Sequence, residues 1–397
     1  MSRTAWGVLL LVSCAHSLAH VLELSLPGVE QQISADYGVG KTVMGWLAFC
    51  WRLPWGLGAI AAGALVDRYG GPRMLAAYLL GCAAMCATAG QVPPLPGLFF
   101  AMFIMGSFAS IYHPAGLALI AEQTTPDNRA FALSIHGVFG SLGIGAAPLL
   151  AGMMLSGGAS WSQYYWVLAI LCGGLALPWV GRGWSGEKQA AAAQSAAGQA
   201  EDARADWPSF FGLLGLALLQ GTVYSGVMAF LPRYFSESRL ALPGISADGA
   251  GGVLAGGVLL LGCAGQMLAG IIARPAKLER QLAGVAFGNA PFLLAMGLVS
   301  AYGRLAAAGG FALVHFMHQP LYNTLVAKYA PSARRSLCYG VSFATGLGVG
   351  GLGAAFAGYF DEVETAYRVL AAAAVLSGIF GIGLAIRNRR MEDRQKD

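Results

Sequence analysis

The sequence predicts an all-α integral membrane protein in which twelve transmembrane helices form two six-helix bundles related by pseudo-two-fold symmetry. The 397-residue chain is 56% hydrophobic and only 11% charged, whereas soluble domains carry about 25% charged residues. Its apolar residues fall into twelve long runs, and several residues of the second half repeat those of the first at one spacing. This composition, with a net charge of only +5, excludes a soluble multidomain enzyme, a disordered chain and a nucleic-acid-binding protein.

Each apolar run is long enough to cross the hydrocarbon core of a bilayer, which needs about 20 mainly apolar residues. Turn-forming residues, for example Pro93-Pro94 and Pro331, separate the runs. The predicted spans are residues 5–30, 42–66, 74–92, 97–121, 130–156, 163–181, 208–233, 250–273, 281–300, 305–328, 336–359 and 366–386.

The distribution of lysine and arginine orients these spans, because cytoplasmic loops retain positive charge. With the N-terminus in the cytoplasm, 18 of the 24 basic residues lie on the cytoplasmic side and 5 on the other, and Arg52 lies inside a span. We therefore expect both termini to be cytoplasmic.

An Ala- and Gln-rich charged stretch, residues 182–207, has no apolar face long enough to span a membrane and predicts a cytoplasmic linker. It divides the chain into an N-terminal bundle, residues 1–181, and a C-terminal bundle with a short cytoplasmic tail, residues 208–397.

The two predicted bundles share an internal repeat at an offset of 205 residues. The matched pairs are His113 with His318, Pro126 with Pro331, Arg129 with Arg334, Gly143 with Gly348, and Gly145 with Gly350. They equate the fourth span with the tenth and the fifth with the eleventh. A parallel repeat of six plus six spans is typical of transporters whose substrate site lies between the halves near the membrane midplane.

The loop between the second and third spans carries Gly63, Asp67, Arg68, Gly70 and Arg73. This pattern resembles the G-x-x-x-D-R-x-G-R-R signature of the major facilitator superfamily. The resemblance implies a gating latch that stabilises the outward-facing state. Gly71 and Pro72 stand where basic residues are usual, and Arg274 in the corresponding loop of the second half stands where an acid is expected.

A narrower resemblance covers the fourth and fifth spans. Residues 110–116 and 132–152 are similar to the fosmidomycin-resistance-type exporters, whose first helix carries a histidine followed by an acid; here His16 is present and His20 takes the acidic position. This resemblance implies proton-driven efflux of a small polar or drug-like molecule across the inner membrane of a bacterium.

All six histidines fall within predicted spans, and intramembrane ionisable groups are costly and usually functional. At 100° per residue, His16, His20 and Glu23 share one helix face, whereas His136 is equally consistent with packing. In the resembled fold, the first, fourth, seventh and tenth helices line the cavity. The residues expected to bind substrate or protons are His16, His20, Glu23, Arg52, Tyr112, His113, Gln220, Tyr224, His315, His318, Tyr322 and Asn323.

Glu23 and Arg52 are the only charges clearly within the spans, and both lie in the half of the membrane away from the termini. They are therefore expected to pair. Two interpretations stay open: a structural ion pair between the first two helices, or a carboxylate that exchanges a proton under the influence of Arg52 and the histidines.

Four functions are compatible with these residues. The leading one is proton-coupled export of a small polar or anionic organic molecule. The second is proton-coupled uptake of an organic acid, and the third is transition-metal transport through His16, His20 and Glu23 or through His315 and His318. The fourth is a receptor or scaffold that keeps a transporter fold.

Several classes of protein are excluded by motif. The sequence has no P-loop and no nucleophile elbow, so an enzyme or an ATP-driven pump is not expected. The seven cysteines lie in apolar runs without a C-x-x-C pair, which predicts neither disulfides nor a zinc ribbon. We expect no cofactor, no resident metal, no nucleic-acid partner and a monomer in the bilayer.

Overall fold

A computed structural model describes residues 1–180, 206–238, 240–331 and 334–394. Within these ranges the chain forms helices and no strands. Twelve helical segments, labelled α1 to α12, correspond to the twelve predicted spans. They are α1 (Arg3–Tyr37), α2 (Lys41–Tyr69), α3 (Gly71–Gly90), α4 (Leu95–Gln123), α5 (Pro126–Ser156), α6 (Trp161–Val180), α7 (Trp207–Ser236), α8 (Ala247–Ile272), α9 (Leu278–Met296), α10 (Tyr302–Phe316 and His318–Tyr329), α11 (Arg335–Phe343, Ala344–Gly348, Val349–Gly351 and Leu352–Gly358) and α12 (Val363–Arg394).

Ten of these segments are long and apolar enough to cross a membrane within the described residues. The two others, α9 and α10, carry more polar side chains. Asn289 of α9 and His315, His318 and Asn323 of α10 lie within them. Each nevertheless follows the predicted position of its span, and the polar residues of α10 contribute to the site described below.

Local capping explains where several helices begin. Thr125 and Asn128 form a reciprocal capping box at the start of α5. The Asp206 and Ser246 side chains accept backbone hydrogen bonds at the starts of α7 and α8. The predicted linker lies outside the described residues except for Asp206 and Trp207, so the division into domains remains a prediction.

We call the end of the molecule at which α1 begins and α12 ends the proximal end, and the opposite end the distal end. The two halves approach each other through α2 with α11 and through α5 with α8. At the distal part of the second contact, a Cβ added to Gly152 would lie 2.5 Å from the Gly249 carbonyl oxygen. Small residues permit such close approach of helix backbones in a membrane.

The internal repeat is visible in the helix geometry. α4 is interrupted between Leu95–Ala109 and Tyr112–Gln123, and α10 between Tyr302–Phe316 and His318–Tyr329. His113 and His318 therefore both stand at the start of the second piece of their helix. Each is followed by a proline, Pro114 or Pro320, which cannot donate to the carbonyl four residues earlier.

Candidate functional site

Breaks in α1, α4 and α10 place polar side chains in the middle of the bundle. In α1 the pieces Arg3–Glu23 and Ser25–Tyr37 meet at Leu24. Pro27 follows, and it cannot donate a hydrogen bond to the Glu23 carbonyl. Glu23 thus lies at the break, as His113 and His318 do in α4 and α10.

The predicted pairing of Glu23 with Arg52 is confirmed. Arg52 Nη1 donates to Glu23 Oε1 over 2.9 Å, and His20 Nδ1 lies 2.6 Å from Glu23 Oε2. The carboxylate and guanidinium side chains are only 1% and 3% exposed. Since an ionised carboxylate can only accept hydrogen bonds, His20 donates to Glu23 from Nδ1. Both charges are thereby compensated inside the protein.

Four histidines of the N-terminal half form a cluster. The His16 ring stacks on His136 with centroids 4.1 Å apart, and it lies 4.9 Å from the His20 ring and 5.3 Å from the His113 ring. His16 Nδ1 is 2.8 Å from the His136 carbonyl oxygen, so it donates and leaves Nε2 as an acceptor. The structure therefore places His136 within the cluster, a position that the sequence did not distinguish from ordinary packing.

The C-terminal half presents a second row of aromatic and imidazole rings. The Tyr224 ring stacks on His315 at 5.6 Å, His315 is 6.4 Å from His318, and His318 is 5.1 Å from Tyr322. Three buried polar atoms here have no hydrogen-bond partner in the described part of the chain: Gln220 Nε2, His315 Nδ1 and His318 Nε2. The Tyr322 and Ser342 hydroxyls lie next to each other and interact.

A cavity of about 140 Å³ separates the two rows. Nine of the twelve predicted residues line it: His20, Glu23, His113, Gln220, Tyr224, His315, His318, Tyr322 and Asn323. This volume holds several water molecules or a small organic solute. The three residues with unpaired polar atoms, Gln220, His315 and His318, are on its wall.

Three of the predicted residues do not line the cavity. His16, Arg52 and Tyr112 lie behind the wall. Arg52 is held by Glu23 and its Cζ lies 5.1 Å from the Tyr224 ring centroid. The Tyr112 hydroxyl donates to the Val12 carbonyl over 2.9 Å. Helix periodicity groups residues on a face, but it does not say which member of a stacked group reaches the open space.

The sequence missed the contribution of α2 and α11. Trp55 of α2 and Tyr339, Ser342 and Phe343 of α11 line the cavity. The Phe343 ring stacks on His113 across the two halves, with centroids 5.5 Å apart and an interplanar angle of 7°. The polar pair Tyr339 and Ser342, three residues apart in an apolar span, is the signal that could have revealed α11.

The sequence also missed a buried charge pair that joins the halves at the distal end. Arg233 donates to both carboxylate oxygens of Glu30, over 3.0 and 2.7 Å, and the Glu30 side chain is 2% exposed. Nearby, Thr42 donates to the Gly358 carbonyl over 3.0 Å and Lys41 donates to the Asp361 carbonyl. These contacts join the two halves at the distal end.

The loop that resembles a gating latch lies at the proximal end. Asp67, Arg68 and Arg73 are exposed, and a Cβ added to Gly63 would meet no atom within 4 Å among the described residues. No close helix contact forms at Gly63 among the described residues. Gly70 has a φ of +83°, a conformation that favours glycine.

A helical membrane fold in two halves, with a central cavity closed at one end, defines a secondary transporter and not an enzyme. The chain belongs to the Major Facilitator Superfamily, because the family model matches residues 9–355. The predicted fold class, family and membrane location of the chain are thereby confirmed.

Two relatives and one solved structure are similar to this chain. It is 23% identical to the fosmidomycin resistance protein of Escherichia coli (strain K12) over 380 residues, which cover 93% of this chain and 91% of that protein. It is 29% identical to the puromycin resistance protein of Streptomyces alboniger over 171 residues, 42% of this chain; the match spans only 33% of that relative's length. The xylose transporter of E. coli in an inward-open conformation has the same fold, with a TM-score of 0.75, 13% identity and 95% of each chain covered.

Proposed function

We propose that this protein is a proton-coupled exporter that carries a small polar organic molecule through the central cavity by alternating access. The proposal rests on the position of Glu23 at the wall of the cavity. A buried carboxylate there is hydrogen-bonded to His20, borders the cavity and is balanced by Arg52. Loading a proton on this group changes the charge of the wall, which couples proton binding to the state of the cavity.

Export is proposed from the relatives, since the proteins named above confer resistance to fosmidomycin and to puromycin. For the substrate, the cavity wall offers hydrogen-bonding groups and, among the described residues, no unpaired arginine. Arg52, which would favour an anion, lies behind the wall and is neutralised by Glu23. The unpaired amide and imidazole groups of the C-terminal half then supply hydrogen bonds to the solute.

The membrane orientation is part of the proposal. If the proximal end faces the cytoplasm, as the excess of basic residues there predicts, the distal closure at Glu30 and Arg233 makes the described conformation inward-facing. The lack of a close contact at Gly63 among the described residues supports this interpretation. A reporter fused to the C-terminus, active only in the cytoplasm, tests the orientation.

Transport in proteoliposomes with an imposed pH gradient tests the coupling, with fosmidomycin and puromycin as the first probes. Glu23→Gln is expected to abolish gradient-driven accumulation while exchange without a gradient persists. The matched control is Glu279→Gln, because Glu279 is an equally buried carboxylate, held by Lys328 and Tyr329 away from the cavity. Transport that does not depend on the gradient, or that is unchanged in Glu23→Gln, would exclude proton coupling through this residue. The direction of accumulation separates export from uptake.

One observation favours a second candidate, transport of a transition-metal ion. One ring nitrogen each of His16, His20 and His113 lies within 4.8 Å of the others, and neutral imidazoles are common ligands of such ions. Zn²⁺ uptake by the same proteoliposomes, compared between the native chain and His113→Gln, decides this candidate. Absence of protein-dependent Zn²⁺ movement excludes it.

A further inference from the structure

A second cavity, separate from the transport site, lies between α9 and α12 near the proximal end. Its volume is about 380 Å³. Arg280 and Arg389 stand on its wall together with Phe287, Ile382 and Ile386. The transport mechanism uses none of these residues, and the cavity faces outward from the helix bundle because Ile382 and Ile386 are 45% and 50% exposed.

Within the described residues, no carboxylate neutralises the two guanidinium groups. Both arginines are exposed, and in the described ranges neither forms an ion pair with a carboxylate. The adjacent Glu279 is buried and turned to Lys328 and Tyr329. Asp393, one turn beyond Arg389, forms no ion pair with it in those ranges. The wall therefore carries two positive charges that remain free to bind an anion.

The charged and apolar groups are arranged at different depths. Arg280 is the third residue of α9 and Phe287 follows seven residues later; Ile382 precedes Arg389 by seven residues on α12. At about 1.5 Å per residue, each arginine is separated from its apolar partner by roughly 10 Å along the helix. The charges thus lie at the end of the spans, and the apolar side chains lie one to two turns deeper.

We propose that this groove binds an anionic phospholipid, with the phosphate held by Arg280 and Arg389 and an acyl chain against Phe287, Ile382 and Ile386. Guanidinium groups bind phosphate through paired hydrogen bonds, and basic pockets between transmembrane helices are suited to anionic head groups. A free phosphate would occupy only the charged rim, whereas a phospholipid matches the charge and the apolar wall together. The occupant inferred is therefore the lipid.

The test uses the full chain purified in a neutral detergent, to which phosphatidylglycerol, phosphatidylcholine or inorganic phosphate is added. Melting temperature and lipid adducts in native mass spectrometry are the readouts. Phosphatidylglycerol is expected to raise the melting temperature by about 3 °C or more and to remain bound as one retained molecule. Phosphatidylcholine and inorganic phosphate are expected to do neither.

Two double variants with the same change in net charge separate the site from general electrostatics. The double variant Arg280→Gln with Arg389→Gln is expected to lose at least half of the rise in melting temperature that phosphatidylglycerol causes. It is also expected to lose the retained lipid adduct. Arg274→Gln with Arg390→Gln, at neighbouring positions off the groove, is expected to keep both. Ile382→Asn, which leaves the charges intact, is expected to weaken retention of the lipid.

Three results would overturn the proposal. They are equal stabilisation by phosphatidylcholine, full stabilisation by inorganic phosphate alone, and equal losses in the two double variants. The first means a general detergent or bilayer effect, the second an anion site without a lipid, and the third a diffuse electrostatic attraction.

Discussion

At the scale of single residues, the Glu23–Arg52 pair shows why a membrane protein can keep two charges in its interior. Each charge alone would be costly to bury, but Arg52 donates to the carboxylate at 2.9 Å and His20 contacts its second oxygen. The pair also positions the carboxylate at the cavity wall. The structural and functional interpretations of the pair are therefore compatible, since the contact that stabilises the Glu23 carboxylate also positions it at the cavity wall.

Arg52→Met is predicted to destabilise the protein by about 3–5 kcal/mol, because it leaves the Glu23 carboxylate buried without its cation. Thermal unfolding in detergent measures the loss. The double variant Glu23→Gln with Arg52→Met is predicted to recover most of it, since no unpaired charge remains. If the double variant is as unstable as Arg52→Met, the loss of stability comes from the packing of the Arg52 side chain and not from the ion pair.

At the scale of helices, proline and glycine determine where the site forms. Breaks after Glu23, at Ser110–Ile111 and at Met317 expose polar groups at mid-membrane, and glycines let the neighbouring helices pack close to them. α7 and α11 are the tightest case. A Cβ on Gly221 would lie too close to the Gly346 carbonyl oxygen for any rearrangement of side chains to relieve.

Gly221→Ala is therefore predicted to cost about 1–3 kcal/mol by forcing α7 and α11 apart. Thermal unfolding in detergent checks this prediction. Gly257→Ala is the matched control, because Gly257 is also inside a helix and nothing lies within 4 Å of its added Cβ in the described residues. This control is expected to be neutral or slightly stabilising. Equal effects of the two substitutions would contradict the packing argument.

At the scale of the whole molecule, the contacts between halves determine which end is closed. Glu30–Arg233 is a bidentate pair at the distal end, between α1 of one half and α7 of the other. The opening of this end requires that the pair separate. The pair therefore biases the equilibrium between conformations without contacting the cavity.

Arg233→Gln is predicted to increase the population open at the distal end at least several-fold, since about 1.4 kcal/mol changes an equilibrium tenfold. Spin labels at Gln31 and Glu237, in a chain freed of its seven cysteines, report the distance across this end. Arg304→Gln is the control, because Arg304 pairs with Glu364 at the same end but within the C-terminal half. If both variants increase the distance equally, any loss of charge at the distal end opens it. The Glu30–Arg233 pair then has no specific role in keeping this end closed.

The sequence by itself determined the class of this protein. Scarce charge, twelve apolar runs and the repeat that equates His113 with His318 predict a transporter of two halves, because a bilayer imposes length and hydrophobicity on each span. It also placed Glu23 and Arg52 in one pair. These properties are local or periodic along the chain, so the sequence alone contains them.

Only the tertiary structure decided which side chains face the cavity. It moved His16, Arg52 and Tyr112 behind the wall. It also brought Phe343 against His113 across the halves, and it showed that Glu30, at the edge of a predicted span, is buried against Arg233. The physical reason is that these contacts join residues more than a hundred positions apart. Their distances depend on how the helices pack, and helical periodicity within one span carries no information about its neighbour.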